Sequence, residues 1–334
     1  MISTLERTLR GAQQRFLIPV HTSIRPRGWI ATHDALALPF KLRGTQRLCV
    51  GDVDGVALRV ACVGRPKRFQ PLLERLVCRS SAWRETGGLG TWAPESFEDL
   101  DAELVLVDVH RWAAARFRRA GWLVIPDSVR WVGDLTAVPP ARPSKALRND
   151  LKKVERHGYT LEEAGSADDW REFHERMVVP HARRRFGPEA WVPSSGMRRQ
   201  IASRGRLLFV RRGGERLAGF SVLARGTTLW LVTVGLRDGD EALLREGAAV
   251  AIYAFLFAWG REQGFRRVDC GRTSSFLLDG VARHKRKWGL SAAPEALAHL
   301  TAARLDPRCT ALRAVFRREP VFVEGGDGLG LFQG

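Results

Sequence analysis

Hydrophobic residues in the second half of the chain first recur at helical spacing after a proline-rich segment. Leu147, Leu151 and Val154 mark one face of a helix. This helix is predicted to begin after Ser144, a favourable N-cap residue, and to end at His157 before a glycine. Its other face is basic, and we expect that face to be solvated or to lie along an anion.

A second helix is expected after Ser166, because two aspartates in its first turn suit the helix dipole. Its apolar face is formed by Trp170, Phe173, Met177 and His181. Pro180 is expected to kink or end this helix, since proline lacks a backbone N–H. A short strand over 159–163 precedes it, and a small helix over 197–203 follows.

Apolar runs further along the chain predict a sheet and a buried helix. Three strands, 206–212, 216–224 and 228–236, are joined by short glycine-bearing links that are typical of antiparallel hairpins. The run 241–262 is apolar on nearly all sides, which predicts a helix buried against this sheet. A strand and a helix, 265–270 and 277–287, complete the order.

The first half of the chain has a similar mixture of elements. Strands are predicted over 47–53, 56–63, 103–108, 122–125 and 129–135, helices over 66–77 and 111–120, and a glycine-rich loop near 87–90. Three prolines within Val138–Pro143 cannot continue a helix or a central strand and mark a domain boundary. We therefore expect an α/β protein with mixed sheets, divided into residues 1–140 and 144–334.

The composition is that of a basic globular protein. Of 334 residues 45% are hydrophobic, and 54 basic against 36 acidic residues give a formal charge of +18. This charge favours anionic partners such as phosphorylated cofactors, nucleic acid or an acidic membrane surface. A bias toward arginine alone would produce much of the same charge, and both interpretations stay open at this point.

The five cysteines form no Cys-x-x-Cys pair and have no histidine spacing typical of zinc, so no metal site is expected. Their odd number fits a reducing compartment. Met1–Val20 lacks the uninterrupted apolar core of a signal peptide, and the apolar run Ala248–Trp259 is too short to cross a bilayer. We expect a cytoplasmic protein without membrane insertion.

A carboxylate lies near the end of the last predicted strand, and several cations follow that strand. Asp269 and Arg272 come shortly before the basic cluster Arg283–Lys287. Because α/β proteins commonly bind ligands at strand ends, this stretch predicts a site for an anionic substrate or donor.

Four segments carry a resemblance to a known family. They are the basic helix Ser144–Lys153, Met177–His181 with Arg183–Gly187, the strand segment Leu217–Phe220, and Asp269–Thr273 with Gly280 and His284–Gly289. Their order and spacing resemble the GNAT acyltransferase fold, and within it the FemAB-like branch, which has two GNAT-like domains in tandem. The resemblance implies a degenerate GNAT-like domain over 1–140 and a better defined acyltransferase domain over 144–334.

The resemblance implies an N-acyltransferase that forms an amide bond by transferring an acyl or aminoacyl group to an amine substrate. The donor would be acyl-CoA, as a co-substrate, or aminoacyl-tRNA, and no tightly bound cofactor is expected. The family's sheet would open near Thr233–Gly235, where backbone N–H groups face the acyl carbonyl and Gly235 lets the donor approach. Acidic groups after Arg237 would repel the pyrophosphate of coenzyme A.

Lys285 is the first candidate for a catalytic residue. On the family pattern its ammonium lies near the transfer centre, where it holds a phosphate, a carboxylate or developing negative charge. The alternative is a solvated basic helix with Arg283, Arg286 and Lys287. Asp269 is a candidate general base for the amine, or a buried carboxylate that orients a neighbouring arginine.

His181 is a third catalytic candidate. It lies seven residues from His174, so both imidazoles could reach one cleft and accept a proton near neutral pH. The alternative is one packed and one exposed histidine. Cys270 has no evident activating base, and we expect it to be a small buried residue rather than a nucleophile.

Six residues are predicted to bind substrate: Arg272, Arg183, Arg184, Lys145, Arg148 and Gly235. Arg272 would grip an oxyanion, or else pair with Asp269. Arg183 and Arg184 would line a groove, or else stabilise the C-terminal end of a helix.

A non-catalytic, tRNA-binding module that keeps the fold is the alternative function. It would explain the positive charge and the absence of an obvious general base. Against it, the basic residues are scattered among acidic ones, and we see no run of exposed aromatics interleaved with arginine of the kind that single-strand binders use. The acceptor and the oligomeric state are not encoded in any pattern of the sequence.

Overall fold

The computed structural model describes residues 45–64, 66–76, 78–85, 94–188 and 190–334. Backbone contacts divide the chain into two compact units. Among the described residues, the first unit contains Trp131–Gly271 and Lys285–Ser291. The second contains the described residues up to Arg130, with Arg272–His284 and Ala292–Gly334.

The second unit is built on a six-stranded sheet. Its strands are β1 (Thr45–Val53), β2 (Val56–Gly64), β3 (Cys78–Glu85), β4 (Leu104–Val109), β5 (Leu123–Pro126) and β13 (Leu300–Leu305), in the order β3-β1-β2-β4-β13-β5. Its helices are α1 (Pro66–Leu76), α2 (Arg111–Arg119) and α10 (Thr310–Arg318), and a hairpin is formed by β14 (Val321–Glu324) and β15 (Leu329–Phe332). The pairing of β2 with β4 is parallel, whereas β4 and β13 are antiparallel.

Both faces of this six-stranded sheet are covered by apolar side chains. Val60 and Cys62 pack in one buried cluster, and Ala61 and Val63 pack in another. Alternate residues of a strand point to opposite faces, so β2 contributes to both clusters. This explains why its sequence is a continuous apolar run.

The first unit contains most of a seven-stranded sheet with the order β12-β6-β11-β10-β9-β8-β7. Its strands are β6 (Ser128–Asp134), β7 (Thr160–Ala164), β8 (Gly205–Arg212), β9 (Glu215–Arg225), β10 (Thr228–Leu236), β11 (Arg267–Ser274) and β12 (Ser291–Pro294). Strands β7 to β10 form antiparallel pairs, and β11 runs parallel to β10.

Helices connect the strands of this sheet along the chain. They are α3 (Lys145–Arg156), α4 (Ala167–Glu172), a π-helix (Phe173–Val178), α5 (Val179–Phe186), α6 (Ser195–Arg204), α7 (Glu241–Glu246), α8 (Ala248–Glu262) and α9 (Gly280–Lys287). Elements β6, β11, α9 and β12 each contain a boundary between the two units. The predicted α/β class with mixed sheets is confirmed.

Local sequence signals explain the helix ends. The Ser144 hydroxyl accepts the N–H of Leu147 at 3.2 Å, and α3 ends at His157 as predicted. Ser166 and Asp169 form a reciprocal capping box at α4. Both caps satisfy N–H groups that lack intrahelical partners.

Two predicted helices differ from the structure. Pro180 does not end the second helix, because the wider π-helix precedes it and places it in the first turn of α5, where its missing N–H costs no helical bond. The helix expected over 241–262 is divided at Gly247, which has φ +95° and caps α7.

The compact units also differ from the expected division into 1–140 and 144–334. Strand β13 pairs with both β4 and β5, so the C-terminal residues join the sheet formed by the first half of the chain. The predicted GNAT-like character of residues 1–140 stays a prediction. The loop expected near 87–90 lies outside the described residues.

Candidate functional site

The parallel pairing of β10 with β11 is short. It joins Thr228–Trp230 with Arg267–Asp269, although both strands continue beyond these residues. On its other edge, β10 has a β-bulge at Val232, because Leu231 pairs with Val222 whereas Thr233 pairs with Ser221. A bulge changes the direction of a strand and the aim of its side chains. The opening therefore begins earlier along β10 than predicted.

A cavity of about 420 Å³ lies beside this part of β10, and we call it the α6 cavity. Its apolar wall is formed by Trp170, Phe173, Val178 and Ile201. His174, Arg198 and Thr233 supply polar groups. Thr233 thus joins the strand opening to a cavity of ordinary small-molecule size.

Lys285 is buried, with 3% of its surface exposed, although α9 is rich in cations. The alternative of a solvated position for Lys285 is therefore wrong, whereas Arg283 and Arg286 are exposed. Its ammonium is close enough to Cys270 to act on that thiol electrostatically. Its role in catalysis stays a prediction.

Cys270 is a buried residue, as predicted, and burial raises the pKa of its thiol well above the usual value despite the nearby Lys285. A protonated thiol is a poor nucleophile. Tyr253 of α8 lies near this thiol, and burial raises the pKa of its phenol as well. The ring of Tyr253 stacks on Trp288 at 6.0 Å between centroids.

Asp269 and Cys270 are successive residues of β11, so their side chains point to opposite faces of the sheet. Asp269 is buried, and its carboxylate accepts the N–H of Gly271 at 2.9 Å. Lys285 and Asp269 both act electrostatically on the Cys270 thiol, in opposite directions, and Asp269 pairs with Trp230 of β10. The general-base role of Asp269 stays a prediction.

The two candidate histidines line different cavities, so the expectation of a shared cleft is wrong. His181 lines a cavity of about 210 Å³ with Arg184 and Arg185, whereas His174 lines the α6 cavity. Burial and the charge of Arg185 lower the pKa of His181 to about 4. At neutral pH His181 is therefore a weak proton acceptor.

The structure corrects the reason for Gly235. A Cβ atom at this position would lie 2.5 Å from the carbonyl carbon of Met177 and 2.7 Å from the amide nitrogen of Val178. The glycine thus accommodates the backbone of the π-helix. That backbone lies where the sequence predicts the approach of a donor.

The loop after β10 is packed against the same helical segment. Gly239 lies against Pro180, and the Arg176 guanidinium pairs with Asp238 at 3.0 Å. The Asp240 carboxylate accepts the N–H of Ala242 at 2.8 Å and so caps α7. The Asp240 carboxylate therefore already binds the N-terminal end of α7.

The predicted substrate-binding arginines and lysines are exposed. Arg183 and Arg184 lie in the last turn of α5, and the Arg184 side chain is 3.8 Å from Glu241. Lys145 and Arg148 lie on the exposed face of α3. Arg272 is an exposed residue of β11 that belongs to the second unit. Their roles in binding stay predictions.

Sequence reasoning missed Arg198 and Ser221. Ser221 is the polar residue in an otherwise apolar stretch of β9, and that exception was a usable signal. Arg198 is one of many arginines in the chain, and only packing distinguishes it. In the described part of the chain, no helix is long and apolar enough to span a membrane, and no group of His, Cys, Asp and Glu has an arrangement suited to a metal ion.

The family model described as Acetyltransferase (GNAT) domain matches residues 141–286. The predicted resemblance to the GNAT acyltransferase fold is therefore confirmed for this part of the chain. No curated protein sequence matches the chain.

Several solved structures are similar to this chain. L-PGS from Bacillus licheniformis has 14% identity and a TM-score of 0.41, with 82% of this chain and 88% of that chain covered. FemX has 11% identity and a TM-score of 0.40, with 83% and 96% covered. A GCN5-related N-acetyltransferase from Sphaerobacter thermophilus has 18% identity and a TM-score of 0.37, with 78% and 80% covered.

Proposed function

We propose that the chain is an N-acyltransferase that forms an amide bond between a donor acyl or aminoacyl group and an amine. The observation that carries this proposal is the end of the β10–β11 pairing beside the α6 cavity, within a GNAT domain. There, an activated carbonyl can meet backbone N–H groups of β10 while an amine is held next to Thr233. Fixed N–H groups stabilise the oxyanion of acyl transfer without reorganisation.

In the proposed reaction the amine nitrogen attacks the acyl carbon and a C–N bond forms. The bond from the acyl carbon to the donor oxygen or sulfur breaks, and the donor leaves as a hydroxyl or thiol after taking a proton. Lys285 would stabilise the negative charge that develops on this path, because a buried ammonium acts in a medium of low dielectric constant.

The loop Arg237–Asp240 favours an aminoacyl ester over acyl-CoA as the donor. A pyrophosphate binds well where a helix start offers free N–H groups and no competing negative charge. Here Asp240 already caps α7, Glu241 follows it, and Asp238 adds a third carboxylate. These groups would repel the pyrophosphate of coenzyme A at the start of α7.

The exposed face of α3 supports a polyanionic donor such as aminoacyl-tRNA. Lys145, Arg148, Lys152 and Arg156 are all exposed on this helix. Cations in such a row bind a phosphate backbone without reading its sequence, and binding of this kind weakens as salt rises.

The test is to mix the purified chain separately with acyl-CoA and with aminoacyl-tRNA, each in the presence of a panel of amines. We expect amine-dependent loss of the aminoacyl ester and an amide product by mass spectrometry, with no release of free thiol from acyl-CoA. Thiol release instead would assign the donor to coenzyme A. Salt-dependent tRNA binding without any amide product would replace the proposal by the non-catalytic binding module.

A further inference from the structure

The α6 cavity contains an arginine whose hydrogen-bonding capacity is incompletely used. The Nε–H of Arg198 is buried and has no hydrogen-bond partner among the described residues. Arg216, in the same unit, instead pairs with Glu162, Asp169 and Glu172. Arg198 also lines the cavity, so an oxygen of a ligand bound there would accept a hydrogen bond from its guanidinium.

The charges that line the cavity favour an anion. Arg171, Arg198 and Arg199 line it together with a single carboxylate, that of Glu175. Arg171 is already paired at 2.6 Å with Asp168, a residue that does not line the cavity. Arg198 and Arg199 therefore give this cavity a net positive charge, and the planar guanidinium of an arginine matches a carboxylate through two parallel hydrogen bonds.

The rest of the cavity favours an apolar body on the same ligand. Phe173, Val178 and Ile201 are buried, and Trp170 lies beside them. An aromatic or branched aliphatic group would cover these side chains and exclude water from the ion pair. Thr233 completes the cavity at the strand opening, which is where the proposed reaction needs the amine.

We propose that the α6 cavity binds the acceptor, an amino acid with an apolar side chain, whose carboxylate pairs with Arg198 and whose amine lies next to Thr233. The inference rests on the proposed function for the role of the amine. It does not rest on that function for the recognition of the carboxylate, which a binding measurement tests by itself.

The experiment is calorimetric titration of the full chain with three matched probes: phenylalanine, 3-phenylpropionate, which lacks the amine, and phenylalaninamide, which lacks the carboxylate. We expect phenylalanine and 3-phenylpropionate to bind. Phenylalaninamide should bind at least about tenfold more weakly, because it lacks the carboxylate for one charge-assisted bidentate contact. Equal binding of all three probes, or binding of none of them, would overturn the proposal.

Variants of α6 make the test specific. Arg198→Gln should weaken phenylalanine binding about tenfold or more, and Arg198→Lys should recover only part of it because the fork geometry is lost. Arg204→Gln removes the same charge from an exposed position of the same helix and should bind as the unmodified chain does. Unchanged binding by Arg198→Gln would refute the assignment, with melting temperatures showing that each variant is folded.

The two proposals fail in different ways. If phenylalanine binds through Arg198 but no amine is acylated, the proposed activity is wrong and the carboxylate site stands. If other amines are acylated and no carboxylate binds, the activity stands and the acceptor assignment is wrong.

Discussion

The hydroxyl groups of Ser221 and Thr233 lie 2.6 Å apart, directly after the β-bulge of β10. Ser221 is completely buried, and Thr233 lines the α6 cavity. The hydrogen bond therefore fixes the register of β9 and β10 at the point where β10 leaves its pairing with β11. It couples a buried polar group of the sheet to the candidate site.

Thr233→Val should destabilise the first unit by about 1–3 kcal/mol, because it leaves the buried Ser221 hydroxyl without this partner. The double variant Ser221→Ala with Thr233→Val should be more stable than Thr233→Val alone, since neither strand then buries an unpaired hydroxyl. Urea unfolding of the unmodified chain, of Ser221→Ala, of Thr233→Val and of the double variant measures both differences in stability. Equal or lower stability of the double variant would contradict this account of the pair.

Lys285→Met should lower the rate of amide formation by about 10²–10³-fold if the buried ammonium stabilises the oxyanion. Arg286→Met changes the neighbouring, exposed cation of the same helix and should leave the rate unchanged. Steady-state rates with the donor that yields an amide product check both variants, and circular dichroism melting separates lost activity from lost folding. Full activity in a folded Lys285→Met protein excludes the catalytic role.

Gly235→Ala should prevent stable folding of the first unit or destabilise it by several kcal/mol. The new Cβ atom would meet backbone atoms of Met177 and Val178, which cannot move independently of the π-helix. Gly196→Ala is the matched control, because the residue is helical and a Cβ atom there would meet no atom of another element within 4 Å. We expect it to stabilise α6 by up to about 1 kcal/mol. Thermal unfolding of both variants decides the comparison, and a Gly235→Ala protein as stable as the control would refute it.

Much of the fold could be predicted because its signals are local. The strands β8, β9 and β10 fall within one residue of their expected bounds, because glycine-bearing turns separate them. The caps at Ser144 and Ser166 depend only on hydrogen bonds to residues three positions later. Such features do not need the tertiary structure to be recognised.

The rest depends on contacts distant in sequence. The place of β13 between β4 and β5 is set by pairing across about two hundred residues, which no local pattern encodes. The burial of Cys270 could be predicted from its residue type, because a free cysteine without an activating base is usually a small buried residue. By contrast, Lys285 lies among exposed cations in the sequence, and only tertiary packing buries it.

Arg216 of β9 connects one carboxylate of β7 and two carboxylates of α4, and its replacement should reveal how much this network contributes to stability. Its guanidinium pairs with Glu162, Asp169 and Glu172 and lies 4.2 Å from the ring centroid of Phe209. Arg216→Met should cost roughly 1–3 kcal/mol near neutral pH, less than for a fully buried network because these groups are partly exposed.

The pH dependence of that loss has a defined sign. Partial burial opposes ionisation of Asp169, but hydrogen bonds from Ser166 and Arg216 outweigh it and lower its pKa to about 2, below the value of about 4 in an unfolded chain. As the pH falls, Asp169 is therefore protonated in the unfolded chain before it is protonated in the folded chain. The stabilisation that the ionised Asp169 gives the folded state is complete above about pH 4 and is lost as the pH falls to about 2. The difference in stability between the unmodified chain and Arg216→Met should shrink over the same interval.

Arg225→Met, an exposed change on the same strand, should show no such pH dependence in urea unfolding. A difference that is as large at pH 2 as at pH 7 would show that Arg216 acts through packing on Phe209 and not through its ion pairs.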